Sequence, residues 1–198
     1  MSYKAIIDAL KKKDKKKFLY TIEFFPEEGK YHLDGHRNCS QRLAPKEAKA
    51  LNNVCPVCRR PLTVGVLHRV EMLADREEGY VPEAAVPYRN LIPLEEIVAE
   101  ARGAGVGTGG VREEYLTLCR EFGGEFSVLL DVPLDDLART ASPRVVEGLR
   151  RVREGQVLIK PGYDGVFGEI HIFEEPESPA AQEPVLAGEE AASQIRLF

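Results

Sequence analysis

Two half-sites constrain this chain more than any other feature. His36-Arg-Asn-Cys39 and Cys55-Pro-Val-Cys58 stand with 15 residues between them, in a stretch crowded with glycine and proline. The H-x2-C and C-x2-C spacings let a tight turn aim two donors at one ion, and the separation is typical of closed tetrahedral zinc sites. A segment organised by an ion needs little apolar core, so Gly29, Gly35, Pro45, Pro56, Pro61 and Gly65 can punctuate residues 26–65 freely. Three thiolates and an imidazole fill the coordination sphere, so the expected cofactor is structural Zn2+. His36 has the better spacing for the fourth ligand, and His32, four residues upstream, is the alternative. The competing reading makes Cys55 and Cys58 buried thiols, which loops this polar suit poorly. Cys119 falls on the apolar face of a predicted helix and reads as core, and His68 and His171 read as ordinary helix and strand residues.

Catalysis by this metal is not expected. The nucleic-acid deaminase pattern H-x-E followed by P-C-x-x-C fails, because His32-Leu-Asp34 lacks the glutamate and Cys55 follows Val54. No carboxylate pair, cluster of free histidines, or Ser or Cys nucleophile has the setting of an active site.

The net charge of −5 hides an uneven distribution. Residues 1–72 carry 15 Lys and Arg against 8 Asp and Glu, residues 73–173 carry 11 against 18, and residues 174–198 carry 1 against 6. The basic side is the side with the metal ligands. A polyanion would meet it first, and Lys15, Lys16, Lys17, Arg37, Arg59 and Arg60 are the candidate DNA contacts. Solvation of a helix end is the plainer explanation of the lysine run. No stretch has the roughly 20 apolar residues of a membrane span, and the N-terminal basic run follows the apolar segment, the reverse of a signal peptide. A cytoplasmic location and no membrane partner are expected.

Periodicity predicts the rest. Tyr3, Ile6, Ile7 and Leu10 share a helical face, and Phe18–Phe25 reads as a strand ended by Pro26. Helical periods follow over 66–75, 94–101, 111–122 and 142–155, the last with Ser142 as N-cap and Pro143 in the first turn. Gly105-Val-Gly107-Thr-Gly-Gly110 matches G-x-G-x-x-G but follows a helix, which removes the dinucleotide reading. It reads as an interhelical loop whose amides, with Arg112, can hold a phosphate. Residues 156–160 and 168–173 flank Tyr163-Asp164-Gly165 as a hairpin. Residues 174–193 are acidic and rich in Pro and Ala, a composition that cannot offset the entropy of ordering, and the apolar Gln194-Ile-Arg-Leu-Phe198 breaks it at the end. The expected fold class is α+β: a small zinc-ribbon-like module, then a helical subdomain with a terminal β-hairpin, then a disordered tail.

The text from Phe24-Phe-Pro-Glu-Glu-Gly-Lys-Tyr-His-Leu-Asp-Gly-His-Arg-Asn-Cys39 through Cys-Pro-Val-Cys58, Leu62-Thr-Val-Gly-Val-Leu-His-Arg-Val70 and Leu73-Ala-Asp-Arg76 resembles the endonuclease Q family. The likeness continues in Leu91-Ile-Pro-Leu-Glu-Glu96, the Gly-Val-Gly-Thr108 loop and Pro161-Gly-Tyr-Asp-Gly-Val-Phe-Gly168. It implies a metal-dependent DNA repair endonuclease. Such proteins join a catalytic polymerase-and-histidinol-phosphatase (PHP) domain to a zinc-binding domain and a helical domain, and incise beside deaminated bases (uracil, hypoxanthine, xanthine) and abasic sites. The resemblance divides the chain into 1–25, the last PHP helix and strand; 26–72, zinc-binding; 73–173, helical with hairpin; and 174–198, tail. The PHP histidines and aspartates, with their Mg2+ or Mn2+, would lie upstream of Met1, so the expected role is DNA engagement without cutting. A separate PHP-domain chain is the implied partner, with the Ile22, Phe24 and Phe25 strand as its docking edge. Gly109-Gly110 departs from the family's loop, which carries more lysine. The terminus, Gln194, Ile195, Leu197 and Phe198, looks like the bacterial sliding-clamp pentapeptide. Two other readings compete: a zinc-ribbon adaptor tethered to the clamp without lesion specificity, and an autonomous metal-dependent nuclease.

Overall fold

The helical periods of the sequence become helices whose apolar stripes meet in one core. In a computed structural model that describes residues 2–174, the elements in chain order are α1 (Tyr3–Lys12), β1 (Thr21–Glu23), β2 (Asp34–His36), β3 (Gln41–Leu43), α2 (Pro45–Ala50), α3 (Val66–Leu73), β4 (Tyr88–Asn90), α4 (Leu94–Arg102), α5 (Gly109–Glu121), α6 (Leu134–Leu137), α7 (Pro143–Arg153), β5 (Leu158–Lys160) and β6 (Glu169–His171). Mixed helix and small sheets is the fold class expected, and the terminal pentapeptide lies outside the described residues.

Helix α4 packs against both α5 and α7. Leu94, Ile97 and Val98 of α4 are fully buried with Val111 and Leu118 of α5, Leu137 of α6, and Val145 and Leu149 of α7. Each such side chain contributes about 1.5–3 kcal/mol of burial, so this cluster carries most of the apolar stabilisation. Polar groups close the helix ends. Glu125 accepts the Leu94 amide at 2.8 Å, capping α4, and Glu114 accepts the Ser142 amide at 3.0 Å and the Arg102 guanidinium at 2.7 Å. Ser142 takes the N-cap position with Pro143 beside it, but its hydroxyl makes no cap bond to the helix.

The Phe18–Phe25 strand is shorter than expected: only Thr21–Glu23 pair, in parallel, with Tyr88–Asn90. Its partner sets the length, since Pro87 and Pro93 bracket β4 and the proline ring supplies no ladder donor.

Strands β5 and β6 pair antiparallel, Leu158 opposite His171 and Lys160 opposite Glu169. Between them, Asp164 (φ 43°) and Gly165 (φ 84°) form the left-handed pair of a type I′ turn, closed by Val166 N–H to Tyr163 O at 2.8 Å. The base of the hairpin is held by the helical core, where Glu100 of α4 accepts the amides of Ile172 (2.7 Å) and Phe173 (2.8 Å). Its tip lies on the segment carrying the cysteines: Leu33 N–H reaches Gly162 O at 2.9 Å, Gly165 N–H reaches Lys30 O at 2.8 Å, and Asp164 accepts the Arg37 amide at 2.7 Å. One hairpin therefore joins the cysteine segment to the helical core.

Candidate metal centre

The cysteine segment has almost no apolar interior. Its buried cluster is Ala48, Cys55 and Leu62, with Cys39 and Leu43 packed against it. That is far too little to order about forty residues. What converges instead is chemistry: the donor atoms of His36, Cys39, Cys55 and Cys58 all lie within 4.8 Å of one another, positioned to bind a metal ion. Among the described residues this is the one such cluster of His, Cys, Asp or Glu. Cys58 Sγ and His36 Nδ1 are 3.7 Å apart, close to the roughly 3.5 Å edge of a tetrahedron with Zn–S near 2.3 Å and Zn–N near 2.0 Å. The cluster includes His36 and not His32, resolving the alternative left by spacing.

Each half-site is a turn that leaves through a left-handed residue. Cys39 is followed by Ser40 (φ 51°), whose amide returns to Arg37 O at 3.1 Å, and Cys58 by Arg59 (φ 62°), whose amide returns to Cys55 O at 3.0 Å. Left-handed backbone at a residue with a Cβ costs on the order of 1–2 kcal/mol. Ligation of the neighbouring thiolates by an ion would offset that strain. Removal from water, then hydrogen bonds with Cys58 and Cys55, push the Cys39 thiol up to about 11. Burial opposes ionisation of Cys55, but the Cys58 and Val57 amides hold its thiol below the usual range. A bound cation would favour the thiolate forms of these cysteines.

A second pair supports the ligands and was not legible in sequence. Asp34, fully buried at the start of β2, accepts the Gly65 amide at 2.6 Å and meets His68 Nδ1 at 2.6 Å. His68 is indeed a helix residue, on α3, but its partner is 34 positions upstream, and no local pattern joins them. The pair fastens β2, which ends at His36, to the loop entering α3. Cys119 packs beside the helical core, as expected.

The basic candidates are dispersed. Arg37, Arg59 and Arg60 are exposed on the metal turns. Lys15, Lys16 and Lys17 sit in the turn after α1, where Lys15 Nζ donates to Glu83 O at 3.2 Å and Lys17 lies 3.9 Å from Asp14. Arg112 is exposed in the first turn of α5, after the Gly105–Gly110 loop, and makes no ion pair among the described residues. That loop joins two helices, as its sequence context implied. Among the described residues no helix is long and apolar enough to cross a membrane.

Several known proteins are similar to this chain over most of its length. A profile of the MJ0043 C-terminal domain matches residues 93–156. The uncharacterized protein MJ0043 of Methanocaldococcus jannaschii is 35% identical over 145 residues, and the uncharacterized protein YqxK of Bacillus subtilis 30% over 162. The crystal structure of the lesion-specific endonuclease PfuEndoQ from Pyrococcus furiosus superposes with a TM-score of 0.67 and 34% identity over 78% of this chain. A complex of endonuclease Q with a duplex bearing an abasic lesion superposes at 0.70, with 32% identity over 88%. This chain is similar to endonuclease Q. The chain spans 38% and 43% of the two endonuclease Q structures, and 18% and 38% of MJ0043 and YqxK.

Proposed function

We propose that this chain is the zinc-stabilised, DNA-engaging portion of an endonuclease Q-like repair protein that acts on deaminated bases (uracil, hypoxanthine, xanthine) and abasic sites. The observation that carries the reading is the match in both sequence and fold to a lesion-specific endonuclease and to its complex with lesion-bearing duplex, over 78–88% of the chain. The donor set supports zinc: three thiolates and an imidazole suit a tetrahedral d10 ion, and four protein ligands leave no open position, which makes the ion structural. The surplus of basic residues in 1–72 supports DNA as the partner, with Lys15, Lys16, Lys17, Arg37, Arg59 and Arg60 as phosphate contacts and Arg112 working with the α5 amides.

The endonuclease's catalytic Mg2+ or Mn2+ belongs, on this reading, to a PHP domain outside these residues, supplied by a separate chain or by a longer form of this one. Residues 1–25 are the last PHP elements, 26–72 the zinc-binding domain and 73–173 the helical domain. The Gln194, Ile195, Leu197 and Phe198 terminus tethers the protein to the sliding clamp, and the site of action is the cytoplasm. The deciding experiment pairs binding and incision assays on hypoxanthine-containing and matched normal duplexes, zinc intact, with and without magnesium. The expected result is lesion-preferring binding without incision. Equal affinity for both duplexes would leave only the clamp-tethered adaptor, and magnesium-dependent cutting would place an active site within these residues.

A further inference from the structure

Beside the metal turns, two aromatic side chains stand in solvent although the backbone that carries them is held by hydrogen bonds. Phe167 is 69% exposed and Tyr31 46% exposed. Lys30 lies over both, its Nζ 5.5 Å from the Phe167 ring centroid and 5.7 Å from that of Tyr31. The segment is held on each side of Phe167: Gly165 N–H bonds Lys30 O at 2.8 Å, and Gly168 N–H bonds Glu28 O at 3.0 Å. The Arg37 guanidinium and the Tyr31 hydroxyl both approach Gly165, at 3.3 and 3.6 Å from where its Cβ would stand.

We propose that Tyr31 and Phe167, with Lys30 over both rings and Arg37 alongside, form a stacking site for an unpaired nucleobase in DNA. The inference rests on the reading that this chain engages DNA, and adds which feature of the DNA it recognises. A paired, stacked base offers only its edges; its π-face opens when the base is extruded or when its neighbour is missing. An aromatic ring on a pre-organised turn loses little entropy on covering that face. The two cations neutralise the phosphates flanking the base, which leave the duplex path with it. An acidic peptide would satisfy Lys30 and Arg37 but leave the two rings unexplained.

The test uses the full metal-loaded chain and two duplexes of one sequence, one fully paired and one with 2-aminopurine opposite an abasic site. Affinity is read by anisotropy and stacking by 2-aminopurine quenching, for the wild type, Phe167→Ala and Phe167→Trp. Phe167→Ala is expected to weaken the interrupted duplex by about tenfold, to lose the quenching, and to leave the paired duplex within about twofold. Phe167→Trp restores both signals. Metal content and melting temperature stay at wild-type values, since the ring supports no core. Wild-type binding that Phe167→Ala leaves unchanged, or lowers equally on both duplexes, overturns the stacking site and spares the DNA-engaging reading. Failure of the wild type to bind either duplex sinks that reading and the site together, as does capture of a polyglutamate peptide in place of DNA.

Discussion

At the scale of single residues, the metal ligands and the groups behind them carry the most consequence per atom. Cys55→Ser removes the one fully buried ligand, and the expected outcome is loss of bound zinc by elemental analysis and rapid proteolysis within residues 26–65. The small cluster of Ala48 and Leu62 has no means of holding the segment once the ion is gone. Asp34→Ala leaves His68 and the Gly65 amide buried without a partner, at a cost of about 3 kcal/mol. The cost shows as a lower melting temperature and faster zinc release to a chelator; an unchanged melt would make the pair incidental. The three cysteines could be named from spacing alone, because a metal turn is local and two residues between donors set its geometry, whereas the choice of His36 over His32 needed the fold. Asp34 could not, because a buried carboxylate is recognised by what surrounds it, and Gly65 and His68 arrive from later in the chain.

At the scale of elements, close approaches decide how the strands and helices lock. A Cβ on Gly35 would stand 2.4 Å from Tyr163 Cδ2 and 2.5 Å from Gln41 O, so β2 runs directly beneath the hairpin tip. Gly35→Ala should cost about 1–3 kcal/mol by overpacking and loosen the tip from the metal turns, read as faster amide exchange at Leu33 and Gly165. In the helical core, Glu114 joins three helices by accepting Arg102 of α4 and the amide of Ser142 ahead of α7. Burial works to raise its carboxyl, yet the Ser142 amide and the Arg102 guanidinium hold it below the ordinary glutamate range. A carboxyl whose folded-state pKa lies below its unfolded one stabilises fully above the unfolded value and loses that contribution as pH falls through the folded value. Glu114→Gln should therefore lower stability by about 1.5–3 kcal/mol near neutral pH and flatten its decline in acid, measured by urea titrations across the acid range. The helices that carry this network were legible from their 3.6-residue period. The strand after α1 is shorter than its composition suggests, because strand length depends on a partner, and only three residues of β4 pair with it.

At the scale of the whole molecule, a charge surplus at one end and a hairpin from the other make the metal turns a shared structure. Replacing Lys15, Lys16 and Lys17 with glutamate should weaken binding to every DNA alike and lower the salt slope by about one for each phosphate no longer neutralised, whatever the lesion. Unchanged slopes would return these lysines to their plainer role as a solvated helix end. Helix α1 buries none of its residues, with Tyr3, Ile6 and Leu10 exposed, and β1 and β4 form a two-stranded parallel pair, an arrangement that is ordinarily covered on both faces. A separate PHP-domain chain is the proposed cover, and adding it should convert lesion binding into magnesium-dependent incision. What the sequence alone determined is whatever rests on local spacing: two metal turns, the amphipathic helices, the Asp-Gly bend, and a run of motifs specific enough to carry the resemblance to endonuclease Q. Only the tertiary structure decided that His36 closes the cluster, that Asp34 and His68 brace it, and that the tip of the hairpin rests against it. The physical reason is that each of those depends on groups between 22 and 127 residues apart, whose meeting is set by how the core packs rather than by any period along the chain.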